Sequence, residues 1–265
     1  VVTFTGCFDT VTNVNSQPIK LRGGIPVNGT YSGQGVSGGV FYTSTAGTGT
    51  HSITYSYTNA ALCSASAIIH IINQPSPVIP CGNPITDIRD NKVYPTIQIG
   101  AQCWLAANLN YGLQIPGSVH QRDNCIVEKY CYNDSPARCA QGSVLYQWDE
   151  LIQYDLSVSN QGLCPPGWHV PSENDWNVLF TNWTNSGFAG SPLKYSGYSG
   201  FNALLAGTDF SNKSWSYDGF ATYFWSSTPY TSAKAWAHAM NDSDPSVARY
   251  PAGRSNAFPV RCIRN

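Results

Sequence analysis

Nine cysteines are spread along this 265-residue chain, and their spacing constrains the fold more than any other feature. Zinc sites and redox motifs usually bring cysteines together as Cys-x-x-Cys pairs. No such pair occurs, and the shortest separations are those between Cys125, Cys131 and Cys139. Widely spaced cysteines are typical of disulfides that form in an oxidising compartment. We therefore expect an exported, disulfide-bonded protein.

Composition narrows the class further. Charged residues make up only 11% of the chain and aromatic residues 13%, with 24 glycines and 17 prolines, which favours a loop-rich, β-rich globular protein over disorder. A formal net charge of −1 provides no basic field, so we expect no nucleic-acid partner. No run approaches the ~20 apolar residues that span a bilayer, so we expect no direct membrane span. Because no signal peptide is recognisable, we interpret the chain as a mature or excised part of a longer exported protein.

Residues 1–73 predict a small all-β domain, because alternating strand patterns at 1–5, 39–42, 51–57 and 65–72 are separated by glycine and serine clusters. The glycine-rich turns of residues 29–36 and the pattern of residues 47–57 resemble Ig-like repeats of Bacteroidetes surface proteins. That resemblance implies an Ig-like β-sandwich that serves as a stalk. Cys7 and Cys63 lie near the first and last strands, where one bridge would join the two sheets. Residues 74–80 contain three prolines and predict a semi-rigid linker.

A short unit at residues 164–176 contains a turn, a strand and a helix start in succession. Pro165-Pro166-Gly167 is a rigid turn followed by a permissive one. Trp168 and Val170 then alternate with polar neighbours, as in a strand. Ser172, with Asp175 three residues later, predicts a helix N-cap. Apolar residues at helical spacing follow at positions 176, 179, 180 and 183.

Ordered motifs across residues 81–265 resemble the Fibrobacter succinogenes major paralogous domain. They include Gln102-Cys103-Trp104-Leu105, Leu145-Tyr146-Gln147-Trp148, Cys164-Pro165-Pro166-Gly167-Trp168, Trp225-Ser226-Ser227 and Val260-Arg261-Cys262. The resemblance implies an α+β C-type-lectin-like fold with two helices, a small twisted sheet and long loops. An apolar stripe at positions 145, 148, 151 and 152 fits one of those helices, and short strands at 223–226, 235–240 and 257–263 fit the sheet. The whole chain is thus expected to have two domains, an all-β Ig-like sandwich and a C-type-lectin-like domain.

The cysteines of residues 81–265 fit that picture. Cys164 and Cys262 would close a long loop, and in the chain-entropy model such a bridge stabilises the fold by ~4–5 kcal/mol. We further expect Cys131 to pair with Cys139, and Cys81 with Cys103. This leaves Cys125 either as a free thiol or exchanged into the pair of Cys81 and Cys103, because connectivity does not follow from sequence.

Candidate ligand-binding residues cluster near the C-terminus. Lys234, Trp236, His238 and Met240 share one face of a predicted strand, and the alternating alanines fill the other, packed face. We therefore expect the larger side chains to face outward or into a groove. In ligand-binding proteins of the implied fold, the terminal hairpin and preceding loops form the recognition face. With Trp215, which a polar loop carries, the candidates are Trp215, Trp236, His238, Asn241, Asp242, Arg249, Tyr250 and Arg254.

Metal and enzyme alternatives have weaker support. Asn241, Asp242 and Asp244 offer oxygens that suit calcium, but the Glu-Pro-Asn and Trp-Asn-Asp signatures of calcium-dependent lectins are absent. A faint similarity to formylglycine-generating enzymes would require a reactive cysteine pair, whereas Cys164 and Cys262 are better explained as a structural bridge. No nucleophile elbow, zinc-protease motif or phosphate loop occurs. We expect no catalytic residues and no cofactor, with calcium kept as an alternative.

The functional hypothesis is a non-catalytic adhesion module on the bacterial cell surface, displayed on an Ig-like stalk. Its expected partner is a surface glycan or a protein. The first alternative is a structural subunit of a surface filament or sheath, in which the partner is another copy of the chain. The second is an oxidase-like enzyme of the formylglycine-generating fold.

Overall fold

A computed structural model describes residues 1–156, 161–183, 189–195, 197–210 and 214–265. The chain is mostly β-structure with short helices. In the described ranges, the strands of residues 1–74 (the N-terminal region) pair with one another, and so do those of residues 81–265 (the C-terminal region). No helix in these ranges is long and apolar enough to cross a membrane.

The N-terminal region is built around one long hairpin of β8 (Gly49–Thr58) and β9 (Ser64–Gln74), in which ten successive residue pairs are in register. Alternation along β8 buries His51, Ile53 and Tyr55 on one face, as the period of a strand requires. These residues pack with Phe41 and Ile71 into a small core. The elements are β1 (Thr3–Phe4), β2 (Val11–Asn13), β3 (Ile19–Lys20), β4 (Gly24–Ile25), β5 (Thr30–Ser32), β6 (Val36–Ser37), β7 (Val40–Phe41), α1 (Thr43–Ala46), β8 (Gly49–Thr58) and β9 (Ser64–Gln74).

The first half of the C-terminal region begins with a β-hairpin that turns at Asn91, a residue with positive φ. The apolar stripe at positions 145–152 is not one helix: Leu145 belongs to a strand, and the helix comprises four residues. Its elements are β10 (Ile85–Thr86), β11 (Val93–Tyr94), β12 (Thr96–Ile99), β13 (Gln102–Leu105), β14 (Leu113–Gln114), β15 (Glu128–Cys131), a 3₁₀ helix (Tyr132–Asp134), α2 (Pro136–Ala140), β16 (Val144–Gln147) and α3 (Trp148–Leu151).

The second half contains α4 (Glu173–Thr181), the longest helix in the described ranges, and the strands that surround it. The side chain of Ser172 accepts from the backbone N–H of Asp175, and the Asp175 carboxylate accepts from the backbone N–H of Ser172, which confirms the predicted cap. The predicted strand at 257–263 is two short strands. The elements are β17 (Trp168–His169), α4 (Glu173–Thr181), α5 (Gly190–Leu193), β18 (Ala206–Phe210), β19 (Ser214–Asp218), β20 (Ala221–Pro229), β21 (Lys234–Asn241), β22 (Ala248–Gly253), β23 (Ala257–Phe258) and β24 (Ile263–Arg264).

Two sheets organise the C-terminal region. The larger has the order β14-β15-β16-β23-β18-β20-β21-β22, with β19 beside β18, and β22 lies at its edge. The smaller has the order β12-β13-β24-β17, so the chain end pairs with the strand of the residue 164–176 unit. Trp148 and Trp225 are fully buried in one core cluster, and Trp104 and Trp176 in another. The aromatic residues between the sheets therefore serve mainly as core.

Four disulfides fix these elements. The structure forms Cys81–Cys103, Cys131–Cys139 and Cys164–Cys262, as expected. The expected Cys7–Cys63 bridge is wrong, because Cys7 pairs with Cys125. Cys63 is an exposed free thiol at the far end of the β8–β9 hairpin, away from Cys7. Four disulfides support a protein that folds in an oxidising compartment and is secreted or extracellular.

Direct contacts join the two regions in addition to the linker. Cys7–Cys125 crosses between them, and the buried Arg89 donates to Asp9 at 2.9 Å. A second contact is a hydrogen bond from the backbone N–H of Gly167 to Ser16 Oγ, at 3.0 Å. The N-terminal region therefore packs against the C-terminal region and is covalently tied to it.

Candidate functional site

The candidate site lies on the edge hairpin β21–β22, where the N-terminus of α4 reaches the sheet. In this antiparallel pair Trp236 is opposite Pro251, and His238 is opposite Arg249. Alternation places Trp236 and His238 on one face of β21 and the alanines on the other. Ala235 and Ala237 are buried in the main core, as predicted.

The predicted exposure of that face is wrong for its second half. His238 is 1% exposed and Met240 is fully buried, because α4 covers this end of the strand. The ring of His238 lies 5.0 Å from that of Trp176 and 5.2 Å from that of Phe180, both on α4. His238 therefore packs beneath the exposed surface, against α4, and is not available to a ligand at the surface.

A partly buried hydrogen bond links His238 to the helix. Its Nε2 lies 3.0 Å from Oε1 of Glu173, and because a carboxylate only accepts, Nε2 carries the hydrogen. Within the described ranges, Nδ1 has no hydrogen-bond partner. Glu173 is the first residue of α4, where a negative charge is favoured by the helix dipole.

Glu173 also fixes Arg249, whose Nε donates to its second carboxylate oxygen. Burial raises the pKa of Glu173, but hydrogen bonds and charge from His238 and Arg249 outweigh burial and hold that pKa below its ordinary value. Glu173 is consequently ionised at neutral pH and orients both basic side chains.

Arg249 is stacked on Trp236, with its guanidinium carbon 3.3 Å from the ring centroid. Tyr230, which is exposed, meets Trp236 edge-on with the ring centroids 4.7 Å apart. Lys234 precedes Trp236 by two residues on the same face and is exposed. We call Tyr230, Lys234, Trp236 and Arg249 the Trp236 face.

The terminal nitrogens of Arg249 are the chemically available groups of this face. Its side chain is 47% exposed, and Nε alone is engaged by Glu173. Among the described residues, Nη1 and Nη2 of Arg249 make no hydrogen bond. A guanidinium that is already oriented presents two parallel donors, which match the two oxygens of a carboxylate or sulfate.

The Asn241 turn uses its oxygens internally. Asn241 Oδ1 accepts from the backbone N–H groups of Ser243 and Asp244, at 3.1 and 2.7 Å. Lys194 Nζ donates to the backbone oxygens of Asn241 and Asp244, at 2.8 and 3.0 Å. A lysine ammonium thus occupies carbonyl oxygens that a calcium site would need. In the ranges that the structure describes, no group of three or more His, Cys, Asp or Glu side chains is arranged to hold a metal. Asp242 is exposed beside this turn.

Three other candidates lie elsewhere. Trp215, on β19, is half-buried, and its ring centroid lies 5.4 Å from that of Tyr132. Tyr250 packs against Tyr223 on the opposite side of the hairpin from Arg249. Arg254 is mostly buried, with its guanidinium carbon 4.1 Å from the ring of Trp148. Trp215 and Tyr250 serve packing. Arg254 pairs with Asp149 and donates to the backbone oxygen of Thr231, next to Tyr230, so it supports the turn before β21.

Sequence reasoning missed Glu173 and Tyr230. Glu173 lies on a different element, 76 residues before Arg249, and only its position after the Ser172 cap marks it. Tyr230 precedes β21 in the turn that leads into it. The cysteines invoked for an enzyme, Cys164 and Cys262, are fully buried in a disulfide.

A comparison with protein families identifies a match over most of the C-terminal region. A family model described as the Fibrobacter succinogenes major domain matches residues 97–264, which include α4, β21 and β22. A comparison with curated proteins found no match. The family match spans more than half of the chain, and the chain therefore belongs to the Fibrobacter succinogenes major domain family.

Proposed function

We propose that this protein is a non-catalytic binding module of the bacterial cell surface and that the Trp236 face binds an acidic group of its ligand. The observation that carries the proposal is the exposed Arg249, stacked on Trp236 and held by the half-buried Glu173, with both terminal nitrogens available. The ligand class is an acidic glycan or the acidic side chains of a protein.

Preorganisation is the physical argument for binding. An arginine that moves freely loses conformational entropy when it binds a ligand, whereas Arg249 is already held by Glu173 and Trp236. Lys234 adds a second positive charge on the same face, and the exposed ring of Tyr230 offers an apolar surface beside it. Arginine, tryptophan and tyrosine are the residues that most often dominate binding energy in interfaces.

The wider architecture fits display at a surface. We propose that the N-terminal region is an Ig-like stalk and the C-terminal region a C-type-lectin-like tip, in line with the resemblances of both sequence segments. Four disulfides support an exported protein, as expected for such a module. The Cys7–Cys125 bridge would transmit force between stalk and tip.

The test is a binding screen of the full, non-reduced chain. The panel contains neutral, uronic-acid and sulfated glycans, together with acidic and neutral peptides. We expect signal confined to the acidic members of one class, which identifies the source of the acidic group. Trp236→Ala and Arg249→Ala should each weaken binding by about tenfold or more.

Two further variants make the screen specific. Arg249→Lys keeps the charge but removes the planar donor pair, and we expect it to bind more weakly than the wild type. Tyr195→Ala removes an exposed aromatic ring outside the Trp236 face and should bind as the wild type does. Ligands that bind Arg249→Ala as tightly as the wild type, or no acidic ligand at all, would contradict the proposal.

Self-assembly is the second candidate, because isoleucines face solvent on the N-terminal region. Ile68 and Ile72 of β9 lie four residues apart on the outer face of the hairpin and are 58% and 44% exposed. Light scattering coupled to size-exclusion chromatography separates the two candidates. A concentration-dependent series of oligomers that Ile68→Ser abolishes would favour a filament subunit, and a monomer at all concentrations would exclude it.

A further inference from the structure

Two lysine side chains converge on Asn110, in the segment between β13 and β14. Lys129, on β15, is only 8% exposed, and its Nζ donates to Oδ1 of Asn110 at 2.7 Å. Lys92 donates from its own Nζ to the backbone oxygen of the same asparagine. Lysine is rarely buried in folded proteins. The fold has therefore placed a buried primary amine directly against a side-chain amide.

The amide of Asn110 is held in place from several directions. Its Nδ2 donates to the backbone oxygen of Cys139 at 3.1 Å, and Cys139 is itself fixed by its disulfide with Cys131. The backbone N–H of Asn110 donates to the hydroxyl of Tyr94 at 3.0 Å. Because the main chain and both ends of the amide are fixed, the amide carbon stays beside Nζ of Lys129. Fixed proximity of this kind lowers the barrier to a reaction between two groups that do not react when free in water.

The two lysines differ in their charge partners. Lys92 forms an ion pair with Asp90, with 2.9 Å between Nζ and Oδ2. Lys129 forms no ion pair within the part of the chain that the structure describes. Burial and the charge of Lys92 lower the pKa of Lys129 to about 8, against an opposing contribution from Asp90. Part of the Lys129 population is therefore neutral amine near neutral pH, and the neutral amine is the nucleophilic form.

We propose that Lys129 and Asn110 form an intramolecular isopeptide bond. Nζ of Lys129 attacks Cγ of Asn110, so that a new N–C bond forms while the bond from Cγ to Nδ2 breaks. The amide nitrogen leaves as ammonia. Of the two hydrogens on the neutral amine, one stays on the new amide and the other moves to the leaving nitrogen. The reaction is therefore balanced without an oxidant, a reductant or a further reactant.

Lys92 is placed to move that proton. Its side chain is close enough to Lys129 for the two to interact directly. An ammonium in this position can donate a proton to the leaving nitrogen and take one back from the attacking nitrogen, which is general acid–base catalysis by a single group. Asp90, through its ion pair, holds Lys92 in place. The geometry thus makes Lys129 the nucleophile, Lys92 the proton-transfer group and Asp90 a positioning residue.

The bond would close a covalent loop that runs from residue 110 to residue 129. That loop contains Cys125, whose disulfide with Cys7 joins the N-terminal and C-terminal regions. Within the loop, β14 is held to β15 by a short parallel pairing. A force that enters through Cys7 would then reach a segment whose two ends are covalently joined, and it could not peel β14 away from β15 without stretching that loop.

The test is mass spectrometry of the full, non-reduced chain after incubation at pH 9, where more of Lys129 is neutral. We expect a mass lower by one ammonia than that calculated with four disulfides. Trypsin does not cleave after an acylated lysine, so reduction and digestion should yield residues 93–122 joined to residues 123–138 as one branched peptide. A chain without the bond yields the separate peptides 93–122, 123–129 and 130–138. The branched peptide distinguishes the bond from cyclisation of an asparagine elsewhere, which also releases ammonia.

Three variants make the test specific. Lys129→Arg keeps the positive charge and the donors but removes the nucleophilic amine, and it should give only separate peptides. Lys20→Arg, on β3 of the N-terminal region, is the matched control and should keep the branched peptide. Lys92→Met removes the proton-transfer group and should slow bond formation by about tenfold or more, as measured by the linked fraction over time at pH 9.

The outcomes do not depend on the ligand of the Trp236 face. Circular dichroism shows whether each variant is folded. A wild-type chain that keeps its full calculated mass and gives only separate peptides after prolonged incubation at pH 9 would overturn the inference. A linked fraction that grows equally fast in the wild type and in folded Lys92→Met would overturn the role of Lys92 in proton transfer.

Discussion

Two buried charged residues show how the same cost is met in different ways. Arg261 is 1% exposed, and its guanidinium donates to Asn108 Oδ1, Leu105 O and Asn202 O at 2.7–2.9 Å, without an acidic partner. Glu150 is 3% exposed and interacts with the backbone N–H of Glu128 and the hydroxyl of Tyr154, and burial raises its pKa to about 7. Arg261 therefore keeps its charge through hydrogen bonds to neutral acceptors, whereas Glu150 lowers the cost of burial by holding a proton more readily.

The first prediction concerns Glu150 and pH. Its pKa is raised from 4.5 to about 7, so between these values the folded protein holds more protons than the unfolded chain, and stability falls as the pH rises. Glu150→Gln should remove this fall and be more stable than the wild type at pH 8 by about 1–3 kcal/mol. Urea denaturation at pH 4, 6 and 8 measures it.

Glu173→Gln is the matched variant with the opposite sign. The pKa of Glu173 is lowered in the fold, so its contribution is present above the unfolded pKa and is lost as the pH falls. We expect Glu173→Gln to be less stable than the wild type at pH 8 and to approach it at low pH. If the free energy of unfolding changed with pH in the same way in the wild type and both variants, the pKa shifts of Glu150 and Glu173 would be contradicted.

The second prediction concerns Arg261. Arg261→Met leaves three buried acceptors without donors and should lower the free energy of unfolding by about 3–5 kcal/mol. Arg264→Met, three residues later and exposed, should cost less than about 1 kcal/mol. Chemical denaturation of both variants tests the difference, and equal losses would mean that the buried hydrogen bonds of Arg261 contribute little.

At the scale of elements, local sequence patterns predict caps, turns and strand alternation, but they do not predict which strand faces are buried. The Ser172 cap, the turn at residues 165–167 and the alternation of β21 all follow from residue chemistry near in sequence. Which half of β21 is covered depends on where α4 packs, and α4 begins more than 60 residues earlier. For that reason the sequence predicts Trp236 and Arg249 as site residues but wrongly exposes His238 and Met240.

The third prediction concerns the start of α4. Ser172→Ala removes the side-chain acceptor for the Asp175 N–H and should cost about 1 kcal/mol, whereas Ser172→Thr should retain most of the stability. Because Glu173 is the next residue, we also expect Ser172→Ala to weaken binding at the Trp236 face modestly. Thermal denaturation with matched binding assays measures both. An unchanged melting temperature for Ser172→Ala would argue against the cap.

At the scale of the whole molecule, sequence patterns do not predict the disulfide that links the two regions. Residues 1–74 and the family-matched residues 97–264 each carry recognisable signals, so cysteines are naturally assigned within each segment. Cys7 instead reaches Cys125 across the boundary, 118 residues away. Local periodicity carries no information about such a contact, so this disulfide pairing follows only from the three-dimensional arrangement of the two regions.

The fourth prediction concerns that link. Removing the bridge by the double change Cys7→Ser and Cys125→Ser should lower the free energy of unfolding by about 2–4 kcal/mol. It should also speed proteolysis within residues 74–80, because noncovalent contacts such as the Arg89–Asp9 pair would then have to hold the regions together. Cys63→Ser, at the exposed free thiol, is the control and should change neither quantity. Unaltered proteolysis in the double variant would contradict a role for the bridge in docking the regions.

The central claim is that the Trp236 face binds the ligand, and hydrogen–deuterium exchange tests it most directly. The full chain is compared with and without the strongest acidic ligand from the binding screen. In the wild type, we expect the ligand to slow amide exchange in residues 229–236 and 249–251. In Arg249→Ala, we expect the ligand to leave the exchange of these residues unchanged. Protection confined to the N-terminal region, or to the β19 segment around Trp215, would place the ligand elsewhere and contradict the claim.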